Sequence, residues 1–290
     1  MAGFSYFVYG LHIRADFELW PWGATEARGD STDEVVVGLS PSNRTFPALG
    51  FGPGRREAVL EWPGVGAFWI AEGKSIVVRP AVGVTTEELA LVTAGSVLAL
   101  LLEQRGHTVL HGSCIELRGE GIALLGPSGS GKSTLAATLR GRGHALISDG
   151  MTVVDPSGTQ PLVLPGPPHF KLWPDAIASL GESQAASRPV ARQEIKRWYE
   201  ATDQVALRPV PIRRLFLLQP GAGVVSERLS PAAGLMGLVK NYFLADFADA
   251  PAREFILERC APLARAASVS TLQRGTELSD LAAVIAELGA

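Results

Sequence analysis

The spacing of apolar and polar positions changes twice along this chain. Up to about residue 85, short runs rich in β-branched and aromatic residues alternate with polar ones: FSYFVYGLHI, DEVVVGL, EAVLEW, GAFWIAEG and SIVVRPAV, separated by clusters of Gly, Pro, Ser and Asn. Period-two runs bounded by turn residues predict strands. Residues 1–85 are therefore expected to form a β-rich N-terminal lobe. TTEELALVTAGSVLALLLEQRG then moves to helical spacing, with Leu89, Ala90, Val92, Leu98, Leu100, Leu101 and Leu102 on its buried face. Thr85 or Thr86 is the expected N-cap, Glu87 and Glu88 sit in the electropositive first turn, and Gly106 is the expected stop.

From there the pattern alternates between strand and helix. TVLHGSCIEL and GIALLG read as two strands of a hairpin across the tight turn RGEG. GKSTLAATLRGRG reads as a helix ending in glycines, followed by strands in HALIS and MTVVD. The Pro/Gly-rich stretch 156–168 is expected to be loop or extended chain and a candidate substrate-facing segment. FKLWPDAIASLGES predicts a short helix, SRPVARQEIKRWYEATD is polar and basic, and VPIRRLFLLQ predicts a buried strand. The tail predicts helices near 231–248, 251–264 and 276–289, with a strand in ASVSTLQR. The expected class is α/β, with residues 86–290 forming one domain that ends in helices.

Composition narrows the function. At 47% hydrophobic and 19% charged, the 290 residues suffice for a sizeable core. The formal net charge is −3 and Lys and Arg form no long runs, which argues against a general nucleic-acid binder. The longest apolar run, Ala90–Leu102, is too short to span a bilayer as a helix. The N-terminus lacks a basic segment followed by an apolar one, so no signal peptide and no membrane partner are expected, and a cytoplasmic setting fits. Cys114 and Cys260 stand in no metal-ligand spacing and are expected to be reduced core thiols.

The chemistry concentrates in GPSGSGKST, residues 126–134, which fits G-x-x-x-x-G-K-[ST]. A strand runs into this loop and a helix runs out. That order aims successive backbone N–H groups and a helix N-terminus at bound phosphate. Gly126, Ser128, Gly129, Ser130, Gly131, Lys132, Ser133 and Thr134 are the candidate nucleotide-binding residues. Lys132 is expected on the β/γ-phosphates and Ser133 on Mg²⁺. Asp149 follows Lys132 by 17 residues. The helix between them, eleven residues long, rises about 16 Å. The strand ALIS should then run beside the loop strand in the same direction. Asp149 would emerge at the carboxyl edge near the loop, where it could hold Mg²⁺ or take a proton from an attacking hydroxyl. A turn role at SDG is the alternative for that residue. His111, 21 residues before Lys132, lies early on the partner strand and is expected near the same site or in a packing role. Lys171, Arg192, Lys196 and Arg197 are candidate suppliers of positive charge.

LHGSCIELRGEGIALLGPSGSGKSTLAATLRGRGHALISDG resembles the catalytic core of the HPr serine kinase family, in its motifs and in the spacings between His111, Lys132 and Asp149. The resemblance implies a core related to phosphoenolpyruvate carboxykinase, ATP and Mg²⁺ as cofactors, and transfer to an acceptor serine. It assigns Lys132 to phosphate, Ser133 and Asp149 to the metal, Asp149 to the base and His111 to the transferred group. Gly150 stands where that family has a second Asp, Thr134 where Glu is common, and the L-E-I-R-G-L-G segment has no counterpart. YFVYGLHIRADFEL, PGPPHFKLWPD and STLQRGTELSDLAAVI further resemble a branch that phosphorylates lasso-peptide precursors on serine. A peptide or protein bearing an acceptor serine is thus the expected partner. Homo-oligomers are common in the family, but no residue here carries that property over. A nucleotide-binding regulator without transfer, or a small-molecule kinase on the same core, remain as alternatives.

Overall fold

A computed structural model describes residues 3–21, 33–180, 187–191, 195–201, 203–275 and 281–289. The N-terminal runs form one sheet: β1 (Phe4–Val8), β2 (Leu11–Ala15), β3 (Glu34–Leu39), β4 (Glu57–Trp62), β5 (Gly66–Ala71) and β6 (Ser75–Pro80), in the order β1-β2-β3-β6-β5-β4. Alternate positions point inward, as period two requires, so Ile13, Val35, Val37, Phe68, Ile70, Ile76 and Val78 are buried. The other face is partly exposed, with Phe46 and Arg44 packed against Trp69. The buried face shares a single apolar cluster with the helical segment that follows and with Val109, Leu110, Val153 and Leu215 of the second sheet.

The expected single helix is broken in the middle. α1 (Thr86–Val92) starts at Thr85 with a capping box: the Glu88 N–H donates to Thr85 Oγ1 at 3.3 Å, and the Thr85 N–H donates to Glu88 Oε2 at 2.9 Å. A wider π-type turn over Thr93–Val97 then leads into α2 (Leu98–Gln104). Gly95 leaves the helical region there, at φ −98° and ψ −112°, and the Thr93 hydroxyl donates back to Leu89 O at 2.7 Å. A glycine beside a back-bonding threonine is a recognised cause of such a break. Periodicity could not register it, because every residue from Leu98 to Glu103 is buried and the helix beyond the break has no polar face to mark a change of phase.

The second sheet contains β7 (Thr108–Leu110), β8 (Gly112–Leu117), β9 (Glu120–Leu125), β10 (Leu146–Ser148), β11 (Thr152–Asp155), β12 (Leu162–Leu164) and β16 (Val210–Pro220), in the order β10-β8-β9-β16-β12-β11-β7. β17 (Val225–Arg228) and β18 (Ser268–Arg274) extend it from β16. A small separate sheet joins β13 (His169–Leu172), β15 (Arg197–Glu200) and β14 (Ser187–Pro189). The remaining helices are α3 (Lys132–Gly141), α4 (Pro174–Ser179), α5 (Pro231–Lys240), α6 (Ala250–Ala266) and α7 (Leu281–Leu288).

Three readings of the sequence change here. TVLHGSCIEL is two strands: β7 pairs with β11, while β8 pairs with β9 and β10. The break falls at His111, whose N–H donates to Asn241 O at 2.8 Å, and the Phe243 N–H donates to Val109 O at 2.9 Å. A distant segment thus takes the place of a continued strand. β10 does not lie beside the loop strand β9; the antiparallel β8 separates them, so β9 and β10 still run the same way. Part of 156–168 is sheet, since β12 pairs with β11 and β16. Both cysteines are buried free thiols, as expected.

Glu103 is 1% exposed and ties distant parts of the chain together. Its Oε1 accepts the Gly54 N–H at 2.7 Å and its Oε2 accepts the Tyr242 hydroxyl at 3.0 Å. Burial, partly offset by these bonds, pushes its carboxyl above the usual range. Tyr242 also bridges Leu110, next to the strand break. Tyr242→Phe leaves a buried acceptor short of a donor and is expected to cost about 1–3 kcal/mol. Urea unfolding checks this: the midpoint should fall while the slope stays constant.

Candidate active site

β9 delivers the chain into 126–131, and α3 begins at Lys132. Gly131, the residue before the helix, is left-handed at φ +84° and ψ 18°, and no side chain caps the first turn. The N–H groups of that turn therefore face the cleft without a side-chain partner, which is the arrangement that binds phosphate. Lys132 is 6% exposed; its Nζ donates to Gly126 O at 2.8 Å and Pro127 O at 2.9 Å. Burial is the main force lowering the Lys132 ammonium to about 8, against the opposing charge of Asp149. The Ser130 hydroxyl is buried within the loop and has no hydrogen-bond partner among the described residues.

Asp149 follows β10 directly, and both its oxygens are held. The Ser113 hydroxyl donates to Oδ1 at 2.5 Å and the Lys171 N–H donates to Oδ2 at 3.0 Å. Ser113 stands on β8 and Lys171 on β13, so two separate sheets fix one carboxylate. Gly150, at φ +78°, turns the chain away behind it.

His111 occupies the gap between β7 and β8, its ring 5.9 Å from that of Phe243. Burial, then the charges of Lys132, Lys171 and Lys196, lower it to about 4, while a hydrogen bond with the Gly150 backbone pulls the other way. The ring is neutral at pH 7.

The cleft around these groups has a volume of about 660 Å³ and takes in residues from every part of the chain. Among the sequence candidates, Ser128, Gly129, Gly131, Lys132, Ser133, Thr134, His111, Asp149, Lys171 and Lys196 line it together. Lys171 Nζ lies 5.3 Å from the Trp198 ring centre and Lys196 Nζ lies 5.7 Å from that of Trp173, each in cation–π range. Arg197 is not brought to the cleft: its guanidinium donates to Ser187 Oγ at 2.6 Å and Ser187 O at 2.9 Å, tying β15 to β14. Arg192 lies outside the described residues.

Other lining residues escaped the sequence reading, among them Tyr9, Trp20, Trp173, Trp198, Phe243 and Arg274. Arg274 had a signal in hindsight, as a basic residue ending a buried strand. β18 runs parallel to β16 and β16 to β9, with Leu125, Leu217 and Thr271 level across the three strands. Arg274, three residues further, therefore arrives at the phosphate loop, where its guanidinium donates to Ser130 O at 3.1 Å and packs on Gly131. The aromatic residues gave no signal, since isolated aromatics in strands and turns look like core.

Mg²⁺ takes oxygen ligands, keeps several waters and is usually held by one or two carboxylates together with substrate phosphates. Ser133 and Asp149 in one cleft fit that demand. Among the described residues no group of three or more His, Cys, Asp or Glu could hold a metal alone. A metal here would depend on nucleotide phosphates to complete its shell.

Comparison with known proteins points to one family. Residues 103–171 match the HPr Serine kinase C-terminal domain. The chain is 41% identical over 56 residues to the HPr kinase/phosphorylase of Chlorobium phaeobacteroides, covering 19% of this chain and 16% of that protein. It is 46% identical over 57 residues to that of Azoarcus sp., covering 20% and 18%. These matches therefore span less than a fifth of the relatives' length. The solved HPr(Ser) kinase/phosphatase of Coxiella burnetii aligns at 12% identity with a TM-score of 0.33, over 62% of this chain and 86% of that one. No helix among the described residues is long and apolar enough to cross a membrane.

Two outcomes follow from this geometry. Gly131→Ala places a Cβ against the Arg274 guanidinium at a left-handed backbone position. It is expected to abolish nucleotide binding in a fluorescence titration while the chain stays folded by circular dichroism. His111 carries a folded value of about 4, below its unfolded value of about 6.5. The unfolded chain therefore takes the proton first. The stability contributed by the neutral ring is present above about pH 6.5 and is lost as pH falls towards the folded value. Imidazole ¹⁵N shifts should show His111 neutral at pH 6, and a midpoint above 6 would contradict the electrostatics described here.

Proposed function

We propose that this chain, whose residues 103–171 carry an HPr serine kinase C-terminal domain, is an ATP-dependent kinase that phosphorylates a serine hydroxyl of a peptide or protein. The observation that carries the reading is Asp149: a carboxylate gripped on both oxygens, in the same cleft as Lys132 and the uncapped start of α3. A pure nucleotide sensor has no use for a base fixed in this way.

In the proposed reaction the acceptor serine oxygen attacks the γ-phosphorus. The new O–P bond forms as the bond to the β-phosphate oxygen breaks, and ADP leaves with that electron pair. Asp149 takes the serine proton. Lys132, the first-turn N–H groups of α3 and Arg274 face the phosphates, offsetting charge that builds on them. His111 stays neutral and offers a polar contact without adding to the positive charge of the lysines. Mg²⁺, when bound at Ser133 and Asp149, would neutralise phosphate charge and orient the leaving group.

The acceptor we propose is a ribosomally made peptide of the lasso-precursor type. Its support is that the outer segments resembling that branch converge: Tyr9, Pro167, His169, Lys171, Trp173, Asp175 and Arg274 all line the cleft. The family match reaches only part of one of these segments. A nucleotide-dependent regulator is the second reading, and Gly150 in place of a second Asp is the feature that favours it.

The test is incubation with labelled ATP and Mg²⁺, offering peptides ending in serine alongside HPr. Label on neither, with only slow hydrolysis, supports the regulator; label on HPr alone removes the peptide assignment. Asp149→Asn is expected to slow transfer by about 10²–10⁴-fold with nucleotide affinity retained. Lys132→Ala should weaken nucleotide binding as well. Near-normal transfer by Asp149→Asn would end the base assignment.

A further inference from the structure

The N-terminal sheet sends one side chain into the cleft that Asp149 lines. β1 and β2 are joined by the two-residue turn Tyr9–Gly10, with φ of +53° and +74°. Successive positive φ values suit a tight hairpin and favour Asn-Gly. A bulky aromatic in the left-handed region is uncommon, and such positions gather where surrounding structure holds them for a purpose. Here the surroundings are specific. The Tyr9 N–H donates to Pro165 O at 2.7 Å, and the ring sits so close over Gly166 that a Cβ there would lie 2.9 Å from Tyr9 Oη. The Gly166 N–H in turn donates to Ile147 O at 2.8 Å, on β10, the strand that leads into Asp149. Tyr9 is 3% exposed, yet it lines the cleft with Asp149, Met151 and Pro167.

Among the described residues its hydroxyl makes one long contact, to Met151 O at 3.5 Å. Burial and the charge of Asp149 push its ionisation far up, so it remains an O–H donor. The contacts that hold Tyr9 run to Met151, Pro165 and Gly166 rather than to the phosphate loop. A general base works within about 2.6–3.2 Å of the hydroxyl it serves. An acceptor serine must therefore enter beside Asp149, through the cleft that Tyr9 also lines. Packing alone would be satisfied by phenylalanine.

We propose that Tyr9 is an acceptor-positioning residue, whose phenol donates a hydrogen bond to the incoming peptide next to the serine presented to Asp149. The N-terminal sheet thereby forms part of the acceptor site. This inference rests on the kinase reading. The hydrogen bond it assigns is of the size that shifts an affinity by roughly 2–10-fold.

The experiment compares wild type with Tyr9→Phe, using short synthetic peptides ending in serine, with peptide-free ATP hydrolysis, nucleotide affinity and melting temperature measured in parallel. The expected result is a rise of about 3–10-fold in peptide KM, with kcat, hydrolysis, nucleotide affinity and melting temperature unchanged. An unchanged peptide KM while wild type phosphorylates the peptide overturns this inference and leaves the kinase reading standing. A fall in nucleotide affinity or melting temperature that accounts for the KM change assigns Tyr9 a structural role and also overturns it. Wild type that labels no peptide removes the peptide-acceptor reading, and this inference with it.

Discussion

The cleft depends on several strands ending at one edge of one sheet. β9 and β10 run the same way with β8 between them, and β16 and β18 continue that direction on the other side of β9. α3 returns the chain from the end of β9 to the start of β10, so the phosphate loop and Asp149 exit together. A crossover of this kind is right-handed almost without exception. Each functional group is then placed by a backbone path ending in the same plane: Lys132 after β9, Asp149 after β10 and Arg274 at the end of β18. His111 arrives from the opposite direction, at the start of the antiparallel β8.

Charge in this edge is deliberately unbalanced. Lys132, Lys171, Lys196 and Arg274 share the cleft with the carboxylates of Asp149 and Asp175. The excess adds to burial, the main cause of both shifts: the lysines further lower His111, and Lys196 further lowers Lys132. A bound polyanion would offset this excess and favour the charged form of Lys132. The aromatic faces of Trp173 and Trp198 hold two of those lysines in place with little cost in solvation. A similar division of labour serves Asp149, which is fixed by hydroxyl and backbone donors rather than by a cation.

Much of this could be read along the chain, and the failures have a common cause. The strand–loop–helix at 126–134, the strand leading to Asp149 and the capped start of α1 are local patterns, governed by turn chemistry and side-chain period. Each formed at its expected place. The errors were non-local. TVLHGSCIEL has unbroken β character, yet it divides at His111 because residues 241–243 compete for its hydrogen bonds. Arg197 and Lys196 are adjacent cations, and β pairing turns the first to Ser187 while the second reaches the cleft.

By itself the sequence determined a phosphate loop with its lysine, an acid and a histidine at fixed separations, and the β-rich N-terminal run. These follow from short-range physics: which residues tolerate a left-handed turn, which face of a strand or helix is apolar, how far a helix carries the chain. Only the tertiary structure decided what surrounds that set. It brought Arg274 to the loop from more than a hundred residues away, set Ser113 and Lys171 on the two oxygens of Asp149, and inserted Tyr9 from the first hairpin. Such placements depend on how separate sheets stack and which strands pair. The free energy of that choice is summed over the whole core and is not carried by any one segment.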